Sequence, residues 1–381
     1  MGEMKPTLQS RIRGSVLAQA WGDALGAPFE FAPPDAVEKR TGKKWLARLH
    51  SFTGKKGPHG MWVSEAPAGT GTDDVRYNYL FMELVVELGR MPRDREVARR
   101  LLDVYERPED FFPSNAKLAR EQFELWEGVS RGCLGEESPR YLGVSPAVLA
   151  TRSIGLNYPT LAGMLVLPSA GLLFPGDPAE AYRAAYEADF FAVGYAREAT
   201  ALLAAAQGAA LADMSPLALV DAVLALDPLC LGGYFGDTFI RQKLPPLLAR
   251  AAGKKAEELA EFLAWELRHF SVFDPFRALA IAFAALLSHP DDPSLALQVA
   301  ANQGDLNGEG HWSRYADIDC YAGITGALVG ACCGDNALPA DVVGQVVAGN
   351  KAVYGFDLEE TTARFARLVV SKQGKEERQC P

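Results

Sequence analysis

The sequence predicts an all-α protein that folds as one compact domain, with little or no β structure. Helical patterns of apolar residues recur along nearly the whole chain, and alternating runs of β-branched residues are scarce. No repeat of fixed period and no low-complexity linker separates two cores, so residues 1–381 are interpreted as a single domain. The last ~10 residues are expected to form a C-terminal tail.

The helix boundaries follow from the apolar periodicity, from capping residues at helix starts and from Gly or Pro at helix ends. Helices are predicted at about residues 10–25, 73–89, 94–106, 115–131, 178–188, 192–212, 216–226, 237–251, 254–270, 274–288, 293–302, 318–334, 339–349 and 357–371. Long loops are predicted at residues 53–71, 136–175 and 304–316, which are rich in Gly and Pro. Because functional sites are often built on loops, we expect the site near them.

Two of these helices carry small residues at every fourth position. Glycine inside a helix costs about 1 kcal/mol relative to alanine, so a run of glycines needs a packing reason. The spacing lines one face of each helix and predicts close approach of neighbouring backbones. The small residues are Gly14, Ala18, Gly22 and Gly26 in the first helix, and Ala322, Gly326, Gly330 and Gly334 near the C-terminus. The helix at residues 73–87 is apolar almost all round, which predicts a central position.

Charge and cysteine usage restrict the function class. The chain has 38 basic and 48 acidic residues, a formal charge of -10, so attraction to nucleic acid or to an anionic membrane has no general electrostatic support. The six cysteines show no zinc-type spacing, which favours reduced thiols and a cytoplasmic protein. Neither a secretory signal nor a membrane span is predicted.

Two acidic clusters carry the chemistry, Thr72-Asp73-Asp74 and Asp317-Ile318-Asp319. Each cluster starts a predicted helix, and helix capping is the simpler interpretation of either one alone. Both helices look buried, however, and adjacent buried carboxylates repel one another unless a cation neutralises them. Carboxylate and hydroxyl oxygens are hard donors, which favours Mg²⁺ or Mn²⁺ over zinc.

The chain resembles the ADP-ribosylglycohydrolase family over nearly its whole length. Three ordered motifs carry the resemblance: Gly22-Asp23-Ala24-Leu25-Gly26-Ala27-Pro28-Phe29-Glu30, then Thr72-Asp73-Asp74-Val75, then Asp317-Ile318-Asp319-Cys320 with a following Ala322-Gly323-Ile324-Thr325-Gly326-Ala327-Leu328-Val329-Gly330-Ala331. The resemblance implies an orthogonal bundle of many helices.

It also implies hydrolysis of an N- or O-glycosidic bond to ribose, with ADP-ribose removed from a protein or small-molecule acceptor. Two divalent cations, Mg²⁺ or Mn²⁺, would be held by Thr72, Asp73, Asp74, Asp317 and Asp319. Glu30 is assigned a gating or general acid/base role, and Asp73 or Asp317 is the candidate for orienting the attacking water.

Cys320 stands where the family has a Ser or Thr. A thiol is a poor partner for Mg²⁺, so two interpretations are open. Either a small buried residue leaves one ligand position to water, or the metal preference shifts toward Mn²⁺, Fe²⁺ or Zn²⁺.

The sequence also departs from the family in its middle region. Residues 155–164 lack the glycine spacing and the arginine of the family's phosphate-binding loop, and Ala188-Asp189 replaces a Thr-His pair. Two further hypotheses therefore stay open. One is a hydrolase of a nucleoside or another riboside without the diphosphate, and the other is a non-catalytic metal-binding or structural, crystallin-like member.

Overall fold

The computed structural model describes residues 5–151 and 158–376. Its α-helices are α1 (Leu8–Gly26), α2 (Pro34–Thr41), α3 (Asp73–Leu88), α4 (Asp94–Glu106), α5 (Pro108–Phe111), α6 (Ala116–Phe123), α7 (Glu127–Leu134), α8 (Pro146–Leu149), α9 (Ala162–Val166), α10 (Pro178–Ala188), α11 (Tyr195–Ala210), α12 (Pro216–Leu224), α13 (Phe239–Ala251), α14 (Ala256–Glu266), α15 (Pro275–Ser288), α16 (Pro293–Ala301), α17 (Ile318–Cys333), α18 (Ala340–Tyr354) and α19 (Leu358–Glu376). Short 3₁₀ turns lie at Pro113–Asn115, Glu124–Trp126, Ala170–Leu173, Gly233–Phe235 and Asp335–Ala337.

The strands form two small antiparallel pairs. β1 (Phe52–Thr53) pairs with β2 (Glu65–Ala66), and β3 (Gly304–Leu306) pairs with β4 (Trp312–Tyr315). The all-α prediction is therefore confirmed. Within the described residues, no helix is long and apolar enough to cross a membrane.

Several predicted boundaries are wrong. The sequence prediction omitted α2, although Pro34 starts it and Gly42, with φ of 83°, ends it. The helix predicted at 115–131 is broken by a 3₁₀ turn into α6 and α7. The loops predicted at 136–175 and 304–316 contain α8, α9 and the β3–β4 hairpin, because elements this short carry too little periodicity to be recognised.

Helices α1 and α17 pack with their backbones in direct contact. A Cβ on Gly22 would overlap the carbonyl group of Ala322, and a Cβ on Gly326 would overlap that of Ala18. The pair runs antiparallel, since Gly14 lies against the C-terminal part of α17 and Gly22 against its N-terminal part. The close approach that the small residues predict is confirmed, and it places the end of α1 beside the start of α17.

Helix α3 is buried as predicted, and one of its buried side chains is charged. Arg76 is fully buried, and its guanidinium donates to the carbonyls of Pro58, His59 and Gly60 at 2.9–3.1 Å. The same group lies over the ring of Trp62, 4.2 Å from its centroid. Arg76 thereby fixes the loop that precedes α3.

The α1–α17 contact leads to a stability prediction with a control inside the same protein. Gly22→Ala should lower the free energy of unfolding by roughly 3 kcal/mol, because the new methyl group has no space and two helix backbones must separate. Gly344→Ala in α18 should instead be neutral or stabilising by up to about 1 kcal/mol, because Gly344 is exposed and a Cβ there meets nothing within 4 Å.

Urea unfolding of both variants measures the difference. Equal stability of Gly22→Ala and Gly344→Ala would contradict the packing argument.

Candidate metal centre

The site lies where the end of α1 meets the starts of α3 and α17. Asp23 in α1 is fully buried and caps α3 from outside that helix, accepting from the backbone N–H of Thr72 at 2.8 Å and of Val75 at 3.1 Å. Burial raises the pKa of Asp23 to about 6. Thr72 occupies the N-cap position, but its side chain caps no α3 N–H, so capping of α3 by the Thr72 hydroxyl is wrong.

The hydroxyl of Thr72 instead faces the carboxylates. Its Oγ1 lies 3.0 Å from Asp23 Oδ1 and 3.3 Å from Asp319 Oδ2. Because Asp23 has taken over the capping, the hydroxyl oxygen keeps lone pairs for another partner. Asp23 thus connects α1 to both acidic clusters.

Three aspartates of the two clusters are buried close together without an ion-pair partner among the described residues, although the buried guanidinium of Arg277 acts to lower the pKa of Asp317. Asp74, Asp317 and Asp319 are at most 2% exposed. None of them forms an ion pair with Lys or Arg of the described residues, and the one basic neighbour that the sequence suggested, Arg314, pairs with Asp305 instead. Asp74 Oδ2 and Asp317 Oδ2 are buried with no hydrogen-bond partner. Burying such oxygen atoms destabilises the folded protein unless a ligand binds them.

The electrostatics follow from this burial. Burial raises the pKa of Asp317 to about 7, and the nearby Asp73 adds to the rise. Burial also raises the pKa of Asp74 and of Asp319 well above the usual carboxyl range, and the other carboxylates of the cluster increase both shifts. The cluster therefore favours either bound protons or a bound cation.

Two groups of potential ligand atoms overlap at Asp319. Asp74, Asp319 and Cys320 offer atoms that all lie within 4.8 Å of one another, and so do Glu30, Asp317 and Asp319. Cys320 Sγ is 3.7 Å from Asp74 Oδ1. The carboxylate oxygens of these groups fit hard divalent cations, whereas the thiol of Cys320 is a softer donor.

Asp73 takes a different position from the other carboxylates. Its side chain is 17% exposed, and its Oδ2 lies 3.3 Å from Nδ1 of His59. His59 belongs to the loop that Arg76 holds, and its carbonyl accepts from the Asp73 N–H at 3.1 Å. His59 is half-exposed and lines the cavity, so it lies at the rim of the site.

A cavity of about 450 Å³ opens above the carboxylates. Its polar lining residues include Glu30, Asp73, Asp317, Asp319 and Cys320. Its aromatic and aliphatic lining residues include Phe31, Tyr77, Leu125, Trp126, Leu161, Leu165 and Phe273. Among the residues that the structure describes, no Lys or Arg lines this cavity.

A further residue that the sequence interpretation missed holds the approach to α3. Asn350 in α18 is fully buried, donates to the carbonyl of Gly69 at 3.2 Å and accepts from the N–H of Gly71 at 3.1 Å. Gly69 has φ of 93°, a conformation that strongly favours glycine. The sequence signal was weak, because α18 also carries the amide of Gln345, which is exposed, and only burial distinguishes Asn350 from it.

The structure describes only part of the middle region that departs from the family pattern. Of the stretch 155–164 that was compared with a phosphate-binding loop, residues 155–157 lie outside the described residues. Asp189, which replaces part of the family's Thr-His pair, is fully buried and accepts from Thr200 Oγ1 at 2.7 Å and Ala192 N–H at 3.0 Å. It does not line the cavity, so its observed contacts are those of a packing residue.

The fold and the site define a class of all-α proteins with a carboxylate cluster at the floor of an apolar cavity. The family model for ADP-ribosylglycohydrolase matches residues 4–376, and the chain belongs to this family. Membership supports a glycohydrolase function, and the family is typically metal-dependent.

The fold comparison agrees with this assignment. A solved structure described as "ADP-ribosylglycohydrolase-related protein complex" is similar with a TM-score of 0.59 and 20% sequence identity, over 95% of this chain and 99% of that chain. A comparison with curated proteins finds no match.

The buried carboxylates predict how stability depends on pH and metal. The folded protein holds a proton on Asp317 up to about pH 7, whereas an unfolded carboxyl group loses it near pH 3.8. The folded state thus binds more protons between these values, so in EDTA the free energy of unfolding should fall as the pH rises from about 4 to about 7. At pH 7, Mg²⁺ or Mn²⁺ at 100 times its Kd should restore about 2.7 kcal/mol.

Thermal unfolding with and without metal measures both effects. Asp317→Asn/Asp319→Asn should be more stable than the parent in EDTA at pH 7 and should not respond to metal. Asp341→Asn, an exposed position at the start of α18, should behave like the parent. A full metal response in the double variant would contradict the site.

Proposed function

We propose that the protein is a divalent-metal-dependent glycohydrolase that cleaves an N- or O-glycosidic bond to ribose. The observation that carries the proposal is the pair of ligand groups that share Asp319, with two unpartnered carboxylate oxygens, at the floor of an open cavity. A buried acidic cluster without basic partners is costly in a purely structural protein, so a functional cation site explains it better.

The residues proposed to hold two ions, Mg²⁺ or Mn²⁺, are Thr72, Asp73, Asp74, Asp317 and Asp319, with Cys320 beside them. Bound cations would supply ligand positions for ribose hydroxyls and water and would stabilise developing negative charge. Asp73 is the most accessible of the four aspartates, and its contact with His59 holds the carboxylate at the cavity wall. It is therefore proposed to orient the attacking water, with Asp317 as the alternative.

Glu30 is proposed to act as the general acid. Burial is the largest cause that raises the pKa of Glu30 well above the usual carboxyl range, and in the metal-free protein the charges of Asp319 and Asp317 and a hydrogen bond to Asp317 raise it further. A carboxyl group that keeps its proton near neutral pH can donate it to a leaving group. Glu30 lines the cavity, so its proton is available there.

Two classes of substrate are compatible with the proposed reaction. Family membership suggests an ADP-ribosylated protein or small molecule. The second class is a nucleoside or another riboside without the diphosphate, and one observation favours it. The described lining of the cavity combines carboxylates with aromatic side chains and contains no Lys or Arg that could bind a pyrophosphate.

Removing the proposed acid provides the first activity test. Glu30→Gln should lower kcat by about 100-fold or more, because glutamine cannot donate the proton, and metal binding should persist. Glu309→Gln, an exposed glutamate in the turn between β3 and β4, should keep parental activity. Full turnover of Glu30→Gln with metal bound would contradict the assignment.

The measurement is a metal-supplemented hydrolysis screen of ADP-ribosyl-arginine, ADP-ribosyl-serine, O-acetyl-ADP-ribose and simple nucleosides. Asp73→Asn/Asp317→Asn serves as the blank, and product release that survives this double change would reject the mechanism. Metal binding without hydrolysis of any compound would favour a non-catalytic member.

Cys320→Ser tests the anomalous ligand position. If the thiol shifts metal preference, serine should lower the Mg²⁺ concentration for half-maximal activity by roughly tenfold, on the scale of changes around a metal's ligands. Cys332→Ser, in the same helix but away from the cavity, should leave the Mg²⁺ dependence unchanged. Equal Mg²⁺ dependence of the parent and Cys320→Ser would show that the thiol leaves this position to water.

A further inference from the structure

A second cavity, of about 550 Å³, lies between α14, the β3–β4 hairpin and the segment that follows α2. It shares no lining residue with the cavity above the carboxylates. Three tryptophans line it, Trp45, Trp265 and Trp312. Three indole rings around one cavity form an aromatic enclosure, and we call this site the tryptophan cavity.

Two of the indole rings have their N–H groups engaged inside the protein. Trp45 Nε1 donates to Gln298 Oε1 at 2.9 Å, and Trp312 Nε1 donates to the Arg314 carbonyl at 2.8 Å. These bonds fix the orientation of the rings. They also mean that neither of these two indole N–H groups is free to donate to a ligand.

The charges in the described lining of the tryptophan cavity that have no ion-pair partner are negative. Glu257, Glu261 and Trp265 follow one another at every fourth position of α14 and line the same wall. Both glutamates are exposed, and neither has an ion-pair partner in the part of the chain that the structure describes. Lys44 also lines the cavity, but its ammonium group is bound to Asp35 at 2.9 Å.

The structure already shows one cation on an indole ring of this cavity. The guanidinium of Arg268 lies over Trp265, 3.8 Å from the ring centroid. Trp265 is 48% exposed, so part of the ring stays open to solvent beside Glu261. The site therefore combines π faces and carboxylate acceptors, the two partners that a planar guanidinium prefers.

We propose that the tryptophan cavity binds the guanidinium side chain of an arginine residue. The carboxylates of Glu257 and Glu261 would accept its N–H groups, and the indole rings would contact its planar face. A sugar fits less well, because it needs donors and acceptors together and two of the indole N–H groups are already occupied.

The test is a titration of the full-length protein with Nα-acetyl-arginine amide, followed by tryptophan fluorescence and by calorimetry. Its neutral isostere, Nα-acetyl-citrulline amide, has nearly the same shape without the charge. The arginine compound should bind saturably and at least about tenfold more tightly than the citrulline compound, and added salt should weaken it.

Variants localise the binding. Glu257→Gln/Glu261→Gln should weaken it by about fivefold or more, and Trp265→Leu should weaken it and reduce the fluorescence change. Glu258→Gln is the matched control, because Glu258 lies on the same helix, is exposed and pairs with Lys254. Absent saturation, equal binding of the citrulline compound, or equal weakening by Glu258→Gln would overturn the proposal.

Discussion

The backbone contact between α1 and α17 is the constraint on which the rest of the site depends. Because Gly22 and Gly326 leave no side chain between the helices, the two axes lie closer than larger residues permit. The antiparallel arrangement then brings Gly26 of α1 against the backbone of Asp319. A separation of one methyl group would move Asp23 of α1, which caps α3, away from the start of α17, and would thereby separate the acidic residues of α3 from Asp317 and Asp319.

This packing opposes the electrostatics of the cluster. Asp74, Asp317 and Asp319 are removed from water and held near one another, which raises their pKa values and disfavours their ionised forms. In the absence of a counter-charge, the folding energy of the surrounding core must offset this cost. A divalent cation reverses the sign of the interaction, so the same burial that destabilises the free carboxylates strengthens their attraction to the ion.

The sequence was sufficient for those parts of the fold and site that depend on local pattern. The long helices follow from apolar periodicity, and the two aspartate pairs can be recognised because their members are close in sequence. Asp23 belongs to the first family motif, but its capping contact does not follow from local pattern, because it is a hydrogen bond to Thr72 across 49 positions of the chain. Asn350 is a similar case, since its partners Gly69 and Gly71 belong to a distant loop.

The residues that sequence reasoning missed share a physical function: they hold the backbone of the site without facing the cavity. Arg76 binds the carbonyls of residues 58–60, Asn350 binds Gly69 and Gly71, and Asp23 binds Thr72. The loop before α3 is thus ordered by protein contacts, and a ligand does not have to provide that ordering. In the proposed mechanism, cation affinity would therefore depend mainly on the relief of carboxylate repulsion, and the choice of substrate would depend on the apolar residues that line the cavity.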